Sequence, residues 1–370
     1  MIYFDHAATS PPLSSALKCA ERYLQECYFN PSARYAGARD ASAALEHARE
    51  TLLNAAADGM RYSLVFTSGG TEADNTAIFS AAKRGNIVTD EGEHAAVYEC
   101  FKSVKASGGD ARFAPLHRDG SVDADALLSH VDEKTTLVSV MHVNNETGAI
   151  NDINALAKRV KEKNPRCLFM SDGVQAFAKI PVYLNGAVDF YAVSAHKIGG
   201  VKGTGALFCK KGVSLSPRLL GGGQEGGLRS GTENVFGAVC FASAAKERLA
   251  AIAEHAARVT ALRETLWERL DRKVFTRISP ENGSPYLLTV AAKGMRGEVL
   301  QRMLWDKGVA VGTGSACNSK KPYSRVIAAC GYGNDLLNGV LRASFSPETT
   351  EEEIGVCARA MNECAAEWKA

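Results

Sequence analysis

A chain of 370 residues is long enough to enclose two hydrophobic cores, and 46% hydrophobic with 23% charged residues is the composition of an ordinary globular protein. The formal net charge of +2 comes from 43 Lys and Arg scattered among 41 Asp and Glu, which leaves no basic stripe for nucleic acid. Charges or glycines break the longest apolar runs, so no membrane span is expected, and Met1-Ile-Tyr-Phe-Asp5-His6 lacks the regions of a secretory signal.

Pro11-Pro12 opens an amphipathic helical pattern over residues 13–27. Asn30-Pro31-Ser32 interrupts it, and residues 41–57 carry a second such pattern. Apolar runs at 64–66, 87–88, 137–143, 167–170 and 190–193 predict short buried strands, with helices near 72–83, 95–106 and 153–163 between most of them. This alternation predicts an α/β fold with a mostly parallel sheet and helices on both faces. A long helix over 234–270 is expected to bridge to a smaller α+β domain. There the pattern predicts a strand at 286–291, a helix at 297–307, a strand at 340–345 and a last helix at 350–368. The expected division is a large domain over 14–255 and a small one built from 1–13 and 256–370.

Phe66-Thr-Ser-Gly69-Gly70-Thr71-Glu72 runs from a strand through paired glycines into a helix, where bare N–H groups and the helix dipole suit a phosphate. Taken by itself, that stretch is better explained by a plain βα turn capped by Ser or Thr. It is neither a dinucleotide nor a P-loop fingerprint, so a single phosphate ester is the natural ligand. Asp189-Phe-Tyr-Ala-Val-Ser194-Ala-His196-Lys197 ends a buried strand in a hydroxyl, an imidazole and an amine, followed at once by glycines. A desolvated lysine there has a lowered pKa and can form a Schiff base. Upstream, Leu168-Phe-Met-Ser171-Asp172 puts a carboxylate at another strand end, where it is either a helix cap or the partner of a buried cation. A strand-end Asp followed by a strand-end Lys one βαβ span later is the arrangement of pyridoxal phosphate enzymes.

The 10 cysteines include no C-x-x-C pair, which makes a metal-binding protein a weak reading and no metal is expected. Most fit small buried positions in a reducing cytoplasm. Cys317, in Val311-Gly-Thr-Gly-Ser-Ala-Cys317-Asn-Ser-Lys-Lys321, does not: glycines and serines predict a mobile loop, and the lysines favour a thiolate.

From Tyr3-Phe-Asp-His-Ala-Ala-Thr9 to Thr349-Thr-Glu-Glu-Glu-Ile354 the sequence resembles the cysteine desulfurases, the NifS/IscS-like branch of the class V aminotransferase group. The blocks that carry the likeness include 67–75, Glu93-His94, 141–148, 171–175, 194–197, 221–225, 229–234 and 314–317. The resemblance implies the type I fold of pyridoxal 5′-phosphate enzymes, with a seven-stranded sheet, and a homodimer. It implies that Lys197 carries the cofactor and then removes the Cα proton. Asp172 would pair with the ring nitrogen, His94 stack on the ring and move protons, and Gln175 donate to the phenolic oxygen. Asn145 would sit beside cofactor and substrate, and Gly70, Thr71, Ser194 and His196 would cradle the phosphate, with Thr232 added from the second subunit. Arg342 would hold the substrate carboxylate. Cys317 would take sulfur from L-cysteine as a persulfide, leave alanine, and pass the sulfur to an acceptor protein such as an iron–sulfur scaffold or a thiolation enzyme. Three departures from the family pattern stand out: Ala33-Arg34-Tyr35, Gly226 after Gly-Gly-Gly-Gln-Glu, and the short stretch after Ile354, which implies no long scaffold-gripping tail. The alternatives are a selenocysteine lyase, a class V aminotransferase, or a non-catalytic sulfur-binding partner.

Overall fold

The computed structural model describes residues 1–83, 85–314 and 323–369. Twelve strands are described: β1 Ile2–Phe4, β2 Tyr62–Thr67, β3 Asn86–Asp90, β4 Asp110–Ala114, β5 Thr135–Ser139, β6 Leu168–Asp172, β7 Phe190–Ser194, β8 Gly205–Lys210, β9 Phe275–Arg277, β10 Leu287–Ala292, β11 Val309–Val311 and β12 Val340–Ser344. Seven form the large sheet in the order β2-β8-β7-β6-β5-β3-β4. β8 runs antiparallel to both β7 and β2, and the remaining neighbours are parallel, so six strands point the same way. Their carboxyl ends therefore share one edge, where ligands of α/β sheets bind.

The parallel strands are almost wholly buried because helices cover both faces. One face packs Leu64, Val138, Phe169, Tyr191 and Phe208 against Leu45, Leu52 and Phe241. The other packs Ile87, Leu137, Met170 and Phe190 against Ala73, Ala77 and Phe101. Two helices follow the expected limits, Ala95–Ala106 and Ile153–Lys163, the latter capped by Asp152. β4 and β8 were not apparent from the sequence. β4 is edge-like and partly exposed, and β8 follows a glycine turn rather than a helix. The predicted helix over 234–270 is two helices, Val235–Ala250 and Ile252–Arg269, parted where Ala251 leaves helical backbone angles. The break lets Val259, Leu262 and Leu266 turn onto a second core with Phe4, Leu288, Leu341, Ile354 and Met361. The predicted first helix is likewise interrupted, into Ser14–Ala20 and Arg22–Gln25.

That second core lies between a three-stranded antiparallel sheet, β12-β10-β9, and the helices Gly297–Asp306 and Glu351–Lys369. β1 joins it from the far end of the sequence by pairing with β11, Ile2 opposite Val309. Among the described residues, no helix is long and apolar enough to cross a membrane.

Gly173, directly after β6, allows the close approach of β7. A Cβ there would overlap the ring of Tyr191, which is fully buried and bonded through its hydroxyl to His142 Nδ1 at 2.9 Å. Gly173→Ala is expected to destabilise the protein by roughly 1–3 kcal/mol, the usual cost of overpacking, read as a lower urea midpoint at unchanged slope.

Candidate active site

Five strands deliver side chains to one cavity of about 870 Å³. β2 leads to Gly70 and Thr71, β3 to His94, β5 to Asn145, β6 ends in Asp172 followed by Gln175, and β7 ends in Ser194 followed by His196 and Lys197. Arg342 reaches the same cavity from β12 of the second core. Ten of the twelve residues singled out in the sequence thus line one space. Thr232 is exposed and does not line it. Cys317 lies outside the described residues, although Gly314, Tyr323 and Ser324 on either side line the cavity.

The phosphate-like end is built on the helix Gly70–Ala81, whose twelve residues aim their dipole at Gly70 and Thr71. Gly70 is needed because a Cβ would lie 2.7 Å from Val174 Cγ2. The Glu72 carboxylate of the first turn is drawn aside by Arg229, at 3.0 Å, and by the Ser68 N–H, at 2.7 Å. The end of the helix therefore keeps its appetite for an anion.

Asp172 is 4% exposed, and its Oδ1 accepts the Val174 N–H at 2.9 Å. Burial raises its pKa, against the opposing pull of His94, the Val174 N–H and Lys197. A carboxylate held there seeks a cation in the cavity. Asp74 and Glu93, also cavity-lining and buried, are pushed well above the ordinary carboxylate range by burial and then by their acidic neighbours. Asp74 Oδ1 and Glu93 Oε2 have no hydrogen-bond partner among the described residues. Asp172 has His94, the Val174 N–H and Lys197 beside it, all of which favour its ionised form.

His94 caps the helix Ala95–Ala106 by accepting the Ala96 N–H on Nδ1 at 3.1 Å. The proton of the neutral ring then sits on Nε2. Burial, opposed by Asp172 and reinforced by Lys197, Arg325 and Arg342, lowers the pKa and so favours the neutral ring.

The N-terminal segment closes the site from the other side. Lys197 Nζ donates to the carbonyls of Ala7, at 2.6 Å, and Ala8, at 2.7 Å. Gln175 Nε2 donates to Ala7 O at 2.8 Å. Arg342 donates from Nη2 to Asp5 Oδ1 at 2.8 Å and from Nη1 to Asn145 O at 2.7 Å. Its buried Nε and Asn145 Oδ1 are without partners among the described residues. A guanidinium clamped in one orientation, with an N–H to spare, suits a substrate carboxylate.

Sequence reasoning missed Asp5, Lys179, Glu146 and Arg325. Asp5 reaches the site only because β1 pairs with β11 some 300 residues later, a long-range event with no local signal. Glu146 accepts from Ser324 Oγ and lies beside Gly314, and Arg325 donates to the carbonyls of Glu91 and Glu93. Both residues therefore hold the flanks of 315–322 to the loops that carry Asn145 and His94.

The class-V aminotransferase family matches residues 2–356. "Cysteine desulfurase IscS" of Dictyoglomus turgidum is 34% identical over 363 residues, covering 95% of this chain and 91% of that protein. Among solved structures, a "NIFS-like protein" superposes with a TM-score of 0.93 at 33% identity, over 99% of both chains. "SspA in complex with cysteine" superposes with a TM-score of 0.83 at 26% identity, over 95% of this chain and 100% of that one. A likeness of this extent in both sequence and fold means that the chain belongs to the class-V aminotransferase family, in its NifS/IscS-like cysteine desulfurase branch.

Proposed function

We propose that the protein is a pyridoxal 5′-phosphate-dependent cysteine desulfurase that converts L-cysteine to L-alanine and carries the sulfur as a persulfide on Cys317. The observation that carries this reading is the pairing of Asp172 and Lys197 at neighbouring carboxyl strand ends in one cavity with an anion-seeking helix end and Arg342. The cavity fits the cofactor. The buried Asp172 awaits a cation, Gly70 and Thr71 offer N–H groups to a phosphate, and Asn145 Oδ1 is left without a partner among the described residues. Ser194 and His196 would complete the phosphate cradle, Gln175 and Asn145 would flank the phenolic oxygen, His94 would cover the ring, and Lys197 would hold the cofactor covalently. Thr232 of a second copy would add a phosphate ligand in a homodimer.

When bound, the cofactor supplies an electron sink for charge at the substrate Cα. Arg342 binds the substrate carboxylate through its unpartnered edge. Lys197 Nζ, held by the Ala7 and Ala8 carbonyls until displaced, takes the Cα proton. Cys317 thiolate attacks the substrate sulfur. An S–S bond forms, the C–S bond breaks with its electron pair left on carbon, and a proton completes alanine. Neutral His94, with its proton on Nε2, donates or accepts at the sulfur or at Cβ. The persulfide then passes to a cytoplasmic acceptor protein, an iron–sulfur scaffold or a thiolation enzyme.

The purified yellow enzyme, given L-cysteine and a thiol reductant, is expected to release alanine and sulfide in equal amounts. Keto acid formation in place of sulfide would overturn the reading in favour of an aminotransferase. Release from selenocysteine alone would overturn it in favour of a selenocysteine lyase.

A further inference from the structure

Lys179 is a lysine in the wrong kind of place. It is 7% exposed, behind the cavity, and its one hydrogen-bond partner among the described residues is the Oε1 of Gln175 at 2.9 Å. Its charged neighbours are Lys197, Arg342 and Arg248, with His6 and His196 alongside, and Glu348, which also faces His6, is already paired with Arg248. Burial first, then these cations, pushes its pKa down to about 7. The residue before it, Ala178, has φ +56, a left-handed conformation that costs a side-chain-bearing residue on the order of 1 kcal/mol. An unpaired buried cation and a strained backbone in sequence are features that selection for stability alone would remove.

The hydrogen bonds indicate their purpose. A glutamine amide can be turned over, presenting either its oxygen or its NH₂ to a given neighbour. The Lys179 nitrogen, whether ammonium or amine, can donate to an oxygen. It fixes Gln175 Oε1 on its own side, and Nε2 is thereby turned to the Ala7 carbonyl, with its second hydrogen left for the cavity. Ala7 O also accepts from Lys197. We infer that Lys179 is a positioning residue that sets the direction of the Gln175 amide, so that the phenolic oxygen of bound pyridoxal phosphate always meets a donor and never the amide oxygen. The inference rests on the reading of the cavity as a pyridoxal phosphate site.

The test is the absorption band of the loaded enzyme in the absence of substrate, followed against pH. A donor at the phenolic oxygen favours its ionised form, and losing such a bond to a charged group is worth roughly one pH unit. In Lys179→Met the titration midpoint is expected to rise by about that much. In a Gln175→Ala background the same substitution is expected to move it no further. Lys179→Arg, which restores a donor, should return the midpoint toward wild type, and it serves as the comparison with wild type should the methionine variant fold poorly. Because Met replaces an unpaired cation, the melting temperature should not fall, and any gain should be larger at pH 6 than at pH 10, since Lys179 is charged in the folded state only below about pH 7. A midpoint equal to that of wild type in Lys179→Met would overturn the inference, as would an undiminished shift in the Gln175→Ala background, which would mark a direct charge effect. A wild-type protein that takes up no cofactor would overturn the reading of the site together with it, whereas an unmoved band in a fully loaded protein removes the role of Lys179 alone.

Discussion

Cys317→Ala is expected to lower alanine release from L-cysteine by at least about 10³-fold, the scale on which loss of a covalent nucleophile is felt, while the yellow band and the melting temperature stay at wild-type values. The expectation joins two kinds of observation. The sequence sets this one cysteine among glycines, serines and Lys320-Lys321, whereas eight of the other nine are buried. Gly314 and Tyr323, the nearest described residues on either side, both line the cavity, as does Ser324, which donates to Glu146. Three residues of extended chain span at most about 11 Å, so a thiol three residues beyond Gly314 is within reach of a substrate in the cavity. Single-turnover assays followed by thiol trapping make the result unambiguous. Persulfide should be found on wild type and be absent from the variant. Equal alanine release from both proteins would remove Cys317 from the reaction and point to sulfur leaving without an enzyme carrier.

Lys197→Ala is expected to be as severe on the carbon chemistry and different in signature. General-base catalysis by a placed amine is worth up to about 10⁴-fold, and this lysine would also be the covalent attachment, so turnover should fall by at least about 10³-fold. The cofactor should remain bound through the Asp172 and Gly70–Thr71 ends of the cavity, but dialysis should remove it faster than from wild type. A small primary amine added to the medium should restore part of the rate. The substitution also removes the donor shared by the Ala7 and Ala8 carbonyls, so a loss of about 1–2 kcal/mol in stability is expected from calorimetry. Retention of more than a tenth of the activity without added amine would move the base to another residue, with neutral His94 the next candidate.

The sheet was legible because its strands, buried on both faces, read as unbroken apolar runs with helices between them. The site was legible because its residues stand at strand ends followed by glycines. Asp172 and Lys197 are local events, each visible within a dozen residues. What stayed hidden had non-local causes. Antiparallel β8 is inserted between β7 and β2 through a turn without a helix, and alternation alone cannot announce that. The division of the 234–270 helix at Ala251 has no glycine or proline to mark it. Asp5 does its work through Arg342, a partner far away in sequence. Lys179 resembles any loop lysine until its burial is known.

The pairing of β1 with β11 also bears on how the protein is made. Ile2, Tyr3 and Phe4 leave the ribosome about 300 residues ahead of their partners Val309–Val311. At roughly 5–20 residues per second this apolar tip waits on the order of 15–60 s with an open strand edge. Throughout that interval Lys197, once made, lacks the β1–β11 anchor that brings up the Ala7 and Ala8 carbonyls, and Arg342, which Asp5 will orient, has yet to be synthesised, so a catalytically competent nascent chain cannot exist before nearly all of the polypeptide has been made. Holdase chaperones that recognise short exposed apolar segments should therefore meet this protein at Ile2–Phe4, and ribosome-bound chains arrested before Val309 should be the species they retain.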